Sequence, residues 1–117
     1  MEIWFNPSCS KCRTSEELLD EAGVTYTERR YLDEPPTVAE LERVLGLLGI
    51  EPWELARMDE PRAKELGLAD APRDREQWLR TLAENPILVQ RPIVITDDGR
   101  AVIGRPPERI LDVLPPR

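Results

Sequence analysis

Two cysteines stand three positions apart, in Cys9-Ser10-Lys11-Cys12, just after a short apolar run, Ile3-Trp4-Phe5, that stops at Asn6-Pro7-Ser8. The stretch from Cys9 to Ala22 is rich in helix formers and is closed by Gly23, so Cys9 is predicted to sit where a strand passes through a loop into a helix. A thiol there meets unpaired backbone N–H groups and the positive end of the helix dipole, both of which favour thiolate over thiol. Nucleophilic or redox chemistry follows from that placement; the plain alternative is a small buried apolar side chain. Lys11, and Arg13 about one turn along the helix, would add positive potential near the sulfur, with Lys11 equally explained as a solvated charge. Cys12 reads two ways. It shares a helix face with Ser15, Leu18, Leu19 and Ala22, which suits core packing, and its spacing from Cys9 suits a resolving thiol.

The helix terminus that favours a thiolate also binds a tetrahedral oxyanion through its backbone amides. Such a cradle needs cations from elsewhere in the chain. Arg57 follows Trp53-Glu54-Leu55-Ala56, Arg91 precedes Pro92, and Arg105 stands between Gly104 and Pro106, each beside a structure-breaking or strand-edge position. Taken singly, each is an ordinary surface arginine by composition. Pro92 opens a late strand, a natural place for a cis peptide bond close to a reactive cysteine; the alternative is a plain edge-strand start. The tyrosine-phosphatase cradle needs Cys-x5-Arg, and the position six beyond Cys9 is Ser15, which argues against that class.

Composition bounds these options. A chain of 117 residues suits one domain, and 40% hydrophobic with 33% charged residues is the balance of a folding chain. The net charge of −7, without a basic run, argues against nucleic acid or an anionic membrane as partner. No apolar run approaches the roughly 20 residues of a membrane helix, and Met1-Glu2-Ile3 leads into a strand without a signal region, so the expected location is the cytoplasm. Histidine is absent, which excludes Ser-His and Cys-His catalysis, and two cysteines cannot complete a zinc shell within one chain; no metal site and no bound cofactor are expected.

The elements that must position these residues follow from local pattern. Val24 to Tyr31 is strand-like and ends at Asp33-Glu34-Pro35-Pro36, completing a β-α-β unit. Thr37 and Glu40 form a capping box ahead of Val38, Leu41, Val44, Leu45 and Leu48, one face of a helix ending at Gly49. From Glu51 to Asn85 the pattern stays helical in short pieces, opened by Pro52, Pro61 and Asp74. Pro92–Thr96 and Ala101–Ile103 are β-branched runs joined by Asp97-Asp98-Gly99, a hairpin signal, and Pro106 is predicted to start a final helix containing Ile110, Leu111 and Leu114. No repeat or linker interrupts this, apart from the proline-rich Leu114-Pro115-Pro116-Arg117 end. The expected class is α/β: a thioredoxin-like β-α-β…β-β-α sheet in one domain over residues 1–117, with a central helical insertion at about 37–85.

Asn6-Pro7-x-Cys9, Leu55-Ala56-Arg57, Asn85-Pro86-Ile87-Leu88, Gln90-Arg91-Pro92-Ile93-Val94 and Gly104-Arg105-Pro106 occur in order along the chain. Together they closely resemble the glutaredoxin-coupled class of arsenate reductases, over essentially the whole length. The resemblance implies that Cys9 attacks arsenate, that Arg57, Arg91 and Arg105 bind the oxyanion and stabilise the thiol-arsenate adduct, and that an external small thiol such as glutathione, with a glutaredoxin- or thioredoxin-type partner, completes reduction to arsenite. Two departures stand out. Those reductases often carry a histidine shortly before the cysteine, where this chain has Phe5, and they usually lack a cysteine at the place of Cys12. The Cys-x-x-Cys spacing is similar to that of Spx-type regulators, which sense oxidation through a disulfide and bind RNA polymerase. Arg105 and the chain end at Arg117 favour the reductase over a regulator. A general dithiol oxidoreductase cycling Cys9 and Cys12 would leave the three arginines unexplained.

Overall fold

Asn6-Pro7 ends strand β1 early, leaving only Glu2–Trp4 in extended pairing, and that brevity sets the scale of the sheet. The computed structural model describes residues 1–114; the proline-rich chain end beyond Leu114 lies outside the described residues. Helix α1 spans Ser10–Glu21 and strand β2 Thr27–Arg29. Strands β3 (Ile93–Ile95) and β4 (Ala101–Ile103) follow the helical middle of the chain. The sheet order is β2-β1-β3-β4, with β1 parallel to β2 and antiparallel to β3, and β3 antiparallel to β4. A parallel β-α-β unit joined edge to edge with a β-hairpin is the thioredoxin-like arrangement.

The described chain divides into two compact units, Met1–Glu34 with residues 91–114, and Pro35–Gln90. In the first, alternate residues of β1 point to opposite faces of the sheet. Ile3 and Phe5 join Cys12, Leu19, Val94, Ile110 and Val113 in a buried cluster under α1. Trp4 takes the other face, where its ring stacks on Tyr31 at 6.5 Å and lies under the Arg29 guanidinium.

Two elements differ from their sequence expectation. Strand β2 starts at Thr27 rather than Val24, because its partner offers only three residues: the register runs from Glu2↔Thr27 to Trp4↔Arg29. Val24 and Tyr26 instead pack against the cluster ahead of the pairing. The last element, Pro107–Val113, is a 3-10 helix and not an α-helix. Side chains three apart eclipse in a 3-10 helix, so Ile110 and Val113 face inward together and Leu111 stays half exposed, against the α-helical spacing expected of Ile110, Leu111 and Leu114.

In the second unit, α2 (Val38–Leu48) carries the capping box: Glu40 N–H donates to Thr37 Oγ1 and Thr37 N–H to Glu40 Oε1, both at 3.1 Å. Gly49 closes the helix at φ 69°, a left-handed position where a Cβ is disfavoured. Short helices α3 (Pro52–Leu55) and α4 (Pro61–Glu65) each begin at proline. Helix α5 (Arg75–Glu84) is capped by Asp74 and buries Trp78, Leu79 and Leu82. An antiparallel bridge between Ala56 and Val89 closes this unit, with Arg57 N–H donating to Leu88 O at 2.6 Å and Gln90 N–H to Leu55 O at 3.0 Å.

Gly104, just beyond β4, allows a close approach of three segments. A Cβ there would lie 2.9 Å from Pro92 Cγ, 2.9 Å from Ser15 Oγ and 3.3 Å from Ile110 Cγ2. Gly104→Ala is therefore expected to destabilise the fold by about 1–3 kcal/mol, since three packed groups from three segments would have to move. Urea unfolding at constant m-value measures this, and a wild-type midpoint would show that the contact yields.

Candidate functional site

Cys9 is the residue that caps α1. Its backbone is extended, at φ −96° and ψ 120°, and Arg13 N–H donates to its carbonyl at 3.2 Å, the first turn of the helix. The approach to the helix is a tight turn built on Asn6: Cys9 N–H donates to Asn6 O and Ser8 N–H to Asn6 Oδ1, both at 3.0 Å. A buried asparagine that bonds the backbone two residues on makes this turn locally self-sufficient. No acidic residue occupies the first turn of α1, so nothing there opposes a negative sulfur.

Pairing of β3 with β1 through Trp4↔Ile93 brings the chain segment before β3 to the end of the sheet where β1 leads on toward Cys9. Arg91 is in that segment and the Arg91–Pro92 peptide bond is cis, as is Arg105–Pro106. The hairpin returns β4 to the same end, where Gly104 N–H donates to Pro92 O at 2.9 Å. Arg105 then reaches back across the site. Its Nε donates to Arg91 O at 2.6 Å and its Nη2 to the Cys9 sulfur at 3.8 Å. The Arg91 guanidinium bonds Cys9 as well, and lies within electrostatic reach of Tyr31.

These surroundings separate the two thiols. Burial raises the Cys9 pKa, but the Cys12 N–H, the Cys12 thiol, Arg91 and the Lys11 N–H outweigh it and hold Cys9 at about 7. Burial pushes Cys12 up to about 12; the Asn6 backbone opposes this, while the negative charge of Cys9 adds to it. Near neutral pH the pair is therefore a partly ionised Cys9 and a protonated Cys12. Both cysteines are free and buried.

The remaining sequence candidates sit as follows. Cys12 is fully buried on the inner face of α1 with Ser15 and Leu19. Arg13 is exposed on the opposite side of that helix, and Lys11 is exposed too. Arg57 belongs to the second unit, where its Nη1 pairs with Glu60 at 2.5 Å and its Nη2 lies 4.0 Å from Asp59. Tyr31 is the residue that sequence pattern does not single out. The only signal is an aromatic ring placed directly after a strand in Arg29-Arg30-Tyr31, and nothing local says that it comes within electrostatic reach of an arginine sixty positions away.

A thiolate flanked by two guanidinium groups at a helix start can attack an electrophilic centre that carries negative oxygens, and the arginines can hold those oxygens. The model of the ArsC family matches residues 4–113. The "Uncharacterized protein in glnII region" of Streptomyces viridochromogenes is 52% identical, with 97% of this chain and 98% of that protein covered. An arsenate reductase of Neisseria meningitidis serogroup A is 39% identical, with 97% of each chain covered. Among solved structures, an arsenate reductase from Vibrio cholerae superposes with a TM-score of 0.91 at 38% identity, covering 97% of this chain and 98% of its own.

The separated thiols generate a direct expectation. Iodoacetamide should label Cys9 with a rate that rises through a midpoint near pH 7, while Cys12 stays unlabelled across neutral pH in the folded protein. Mass spectrometry of the labelled peptide checks both parts, and a Cys9 midpoint near 9 would remove the activating role assigned to its neighbours.

Proposed function

This chain belongs to the ArsC family, and we propose that it is an arsenate reductase-like enzyme in which the Cys9 thiolate attacks arsenate. The observation that carries the proposal is the meeting of Cys9, Arg91 and Arg105 at the start of α1, with the thiol held at about 7.

The Cys9 sulfur displaces one oxygen of arsenate, which leaves as water, to form a thiol-arsenate adduct. Arg91 and Arg105 face the sulfur and hold the remaining oxygens, offsetting the negative charge that accumulates at arsenic. A second thiolate then attacks the Cys9 sulfur. A disulfide forms, its two electrons pass to arsenic, and arsenite leaves. An external small thiol of the glutathione kind, renewed by a glutaredoxin- or thioredoxin-type protein, is the proposed reductant. Arg57 is carried into this scheme as a third oxyanion ligand by the family resemblance, and Arg13 as a weaker one; the activation that a histidine would provide falls to the helix start, Cys12 and Arg91.

Cys12 is the nearest second thiol. Its high pKa rests in part on the negative charge of Cys9, and that charge is consumed once the adduct forms. Loss of that sulfur charge favours deprotonation of Cys12, whereas burial, the larger cause, and the negative oxygens of the adduct oppose it. The same coupling favours one other reading, a redox-sensing regulator of the Spx type that closes a Cys9–Cys12 disulfide and binds RNA polymerase.

Arsenate-dependent oxidation of NADPH, coupled through glutathione, glutaredoxin and glutathione reductase and repeated with thioredoxin and its reductase, tests the proposal. Activity is expected with one of the two systems and none in Cys9→Ser. Arg91→Lys should lower kcat/KM about tenfold or more, because an ammonium cannot replace a planar fork that bonds two acceptors at once. Turnover in neither system would sink the reductase in favour of the regulator, which polymerase binding would then examine.

In Cys12→Ser, a resolving role predicts an arsenical or mixed-disulfide adduct on Cys9 visible by intact mass, together with a changed dependence on external thiol. Kinetics identical to the parent protein would eliminate that role.

A further inference from the structure

Two successive carbonyls ahead of β3, those of Arg91 and Pro92, are both taken by the chain leaving β4. Gly104 N–H donates to Pro92 O at 2.9 Å, and Arg105 Nε donates to Arg91 O at 2.6 Å. The Arg105 guanidinium is thereby anchored on main chain through its inner nitrogen, and its outer end is the part that reaches the Cys9 sulfur, with Nη2 at 3.8 Å. A long side chain fixed in this way loses rotamer freedom before any anion arrives.

Residue 104 sets that reach. The chain after β4 must close on Pro92 for both bonds to form, and α1 packs Ser15 into the same gap from another side. A Cβ on Gly104 would lie 2.9 Å from Pro92 Cγ and 2.9 Å from Ser15 Oγ, whereas at each of the other five glycines it would meet nothing within 4 Å. Gly104 is also not among the glycines at positive φ, so it is required for space and not for backbone conformation. The flanking groups are poorly placed to yield: Pro92, Ser15 and Ile110 are all buried, and Pro92 carries one of the two acceptor carbonyls.

We propose that Gly104 is a positioning residue of the oxyanion site: the space it leaves lets the chain close on Pro92, so that Arg105 docks on the Arg91 carbonyl and presents its outer nitrogens at Cys9 and the anion bound there. This rests on the roles of Cys9 and Arg105 proposed above. Gly104 has no side chain to touch substrate; it acts through Arg105.

Gly104→Ala lowers stability whether or not it moves Arg105, so anion affinity is the deciding readout. The test is protection of Cys9 from iodoacetamide by arsenate, at pH 7, constant ionic strength and with no reducing thiol, which reports binding without turnover. Half-protection in Gly104→Ala should need roughly fivefold more arsenate or above, since a charge-assisted hydrogen-bond donor is displaced. In an Arg105→Ala background the same change should add nothing, because the residue through which Gly104 acts is gone. Ser15→Ala removes one of the two 2.9 Å contacts and should recover part of the affinity in the Gly104→Ala protein; that double variant, compared with Ser15→Ala, replaces the single one if the latter does not fold. Val113→Ala loosens the same buried cluster outside the three groups that crowd Gly104, and it should need no more arsenate than the parent. Unchanged half-protection in Gly104→Ala overturns the proposal, as does an equal loss in the Arg105→Ala background or in Val113→Ala. Arsenate that fails to protect the parent protein removes the oxyanion site and this proposal with it, whereas protection intact in the parent and unaltered by Gly104→Ala overturns this proposal alone.

Discussion

Antiparallel pairing between β1 and β3 is the constraint on which the rest of this molecule depends. Each strand is only three residues long, and the pairs Glu2↔Ile95, Ile3↔Val94 and Trp4↔Ile93 define their register. Because the strands run in opposite directions, whatever follows β1 lies beside whatever precedes β3. Cys9 and Arg91 meet for that reason. A slip of one residue would exchange the two faces of the sheet, moving Ile3 and Val94 out of the cluster beneath α1 and Trp4 off its stack with Tyr31. The hairpin extends the same logic by one strand, returning Gly104 and Arg105 to the sulfur, and only a glycine fits the narrow gap among Pro92, Ser15 and Ile110.

Charge is handled locally in this protein. A chain of net charge −7 repels anions at long range, and in salt that repulsion fades within about 8–10 Å. What acts on the sulfur is closer: helix amides, a thiol, and two guanidinium groups in a partly enclosed setting where each interaction is stronger than in water. The arrangement separates two chemically identical side chains by several pH units, with Cys9 at about 7 and Cys12 at about 12. Cys9 gains donors at the helix start, whereas Cys12, one turn further, has the core around it and a negative neighbour. Which thiol ionises near neutrality and which keeps its proton is thus set by one turn of helix.

The ledger of arginines shows why residue type alone is weak evidence for a site. Arg91 and Arg105 bond the Cys9 sulfur, Arg57 is tied to Glu60, Arg29 lies over Trp4, and Arg13 faces away from the core on α1. All carry the same group. Their neighbours decide whether that group serves an anion, an internal carboxylate or a ring face.

The features legible in the sequence are those carried by interactions among near neighbours. Gly23 and Asn6-Pro7 bound the first helix and put Cys9 at its start; Thr37 and Glu40 cap α2 reciprocally; Asp97-Asp98-Gly99 turns the hairpin; and ordered motifs around Cys9, Arg57, Arg91 and Arg105 carry the family. Each of these depends on a few consecutive side chains and so can be read from the chain. Tertiary structure alone decided the rest. Pairing with a three-residue partner shortened β2, packing turned the last element into a 3-10 helix with Ile110 and Val113 inward, and strand register brought Arg105 to a sulfur 96 positions away. Those outcomes depend on which distant backbones share hydrogen bonds, and no local pattern encodes that.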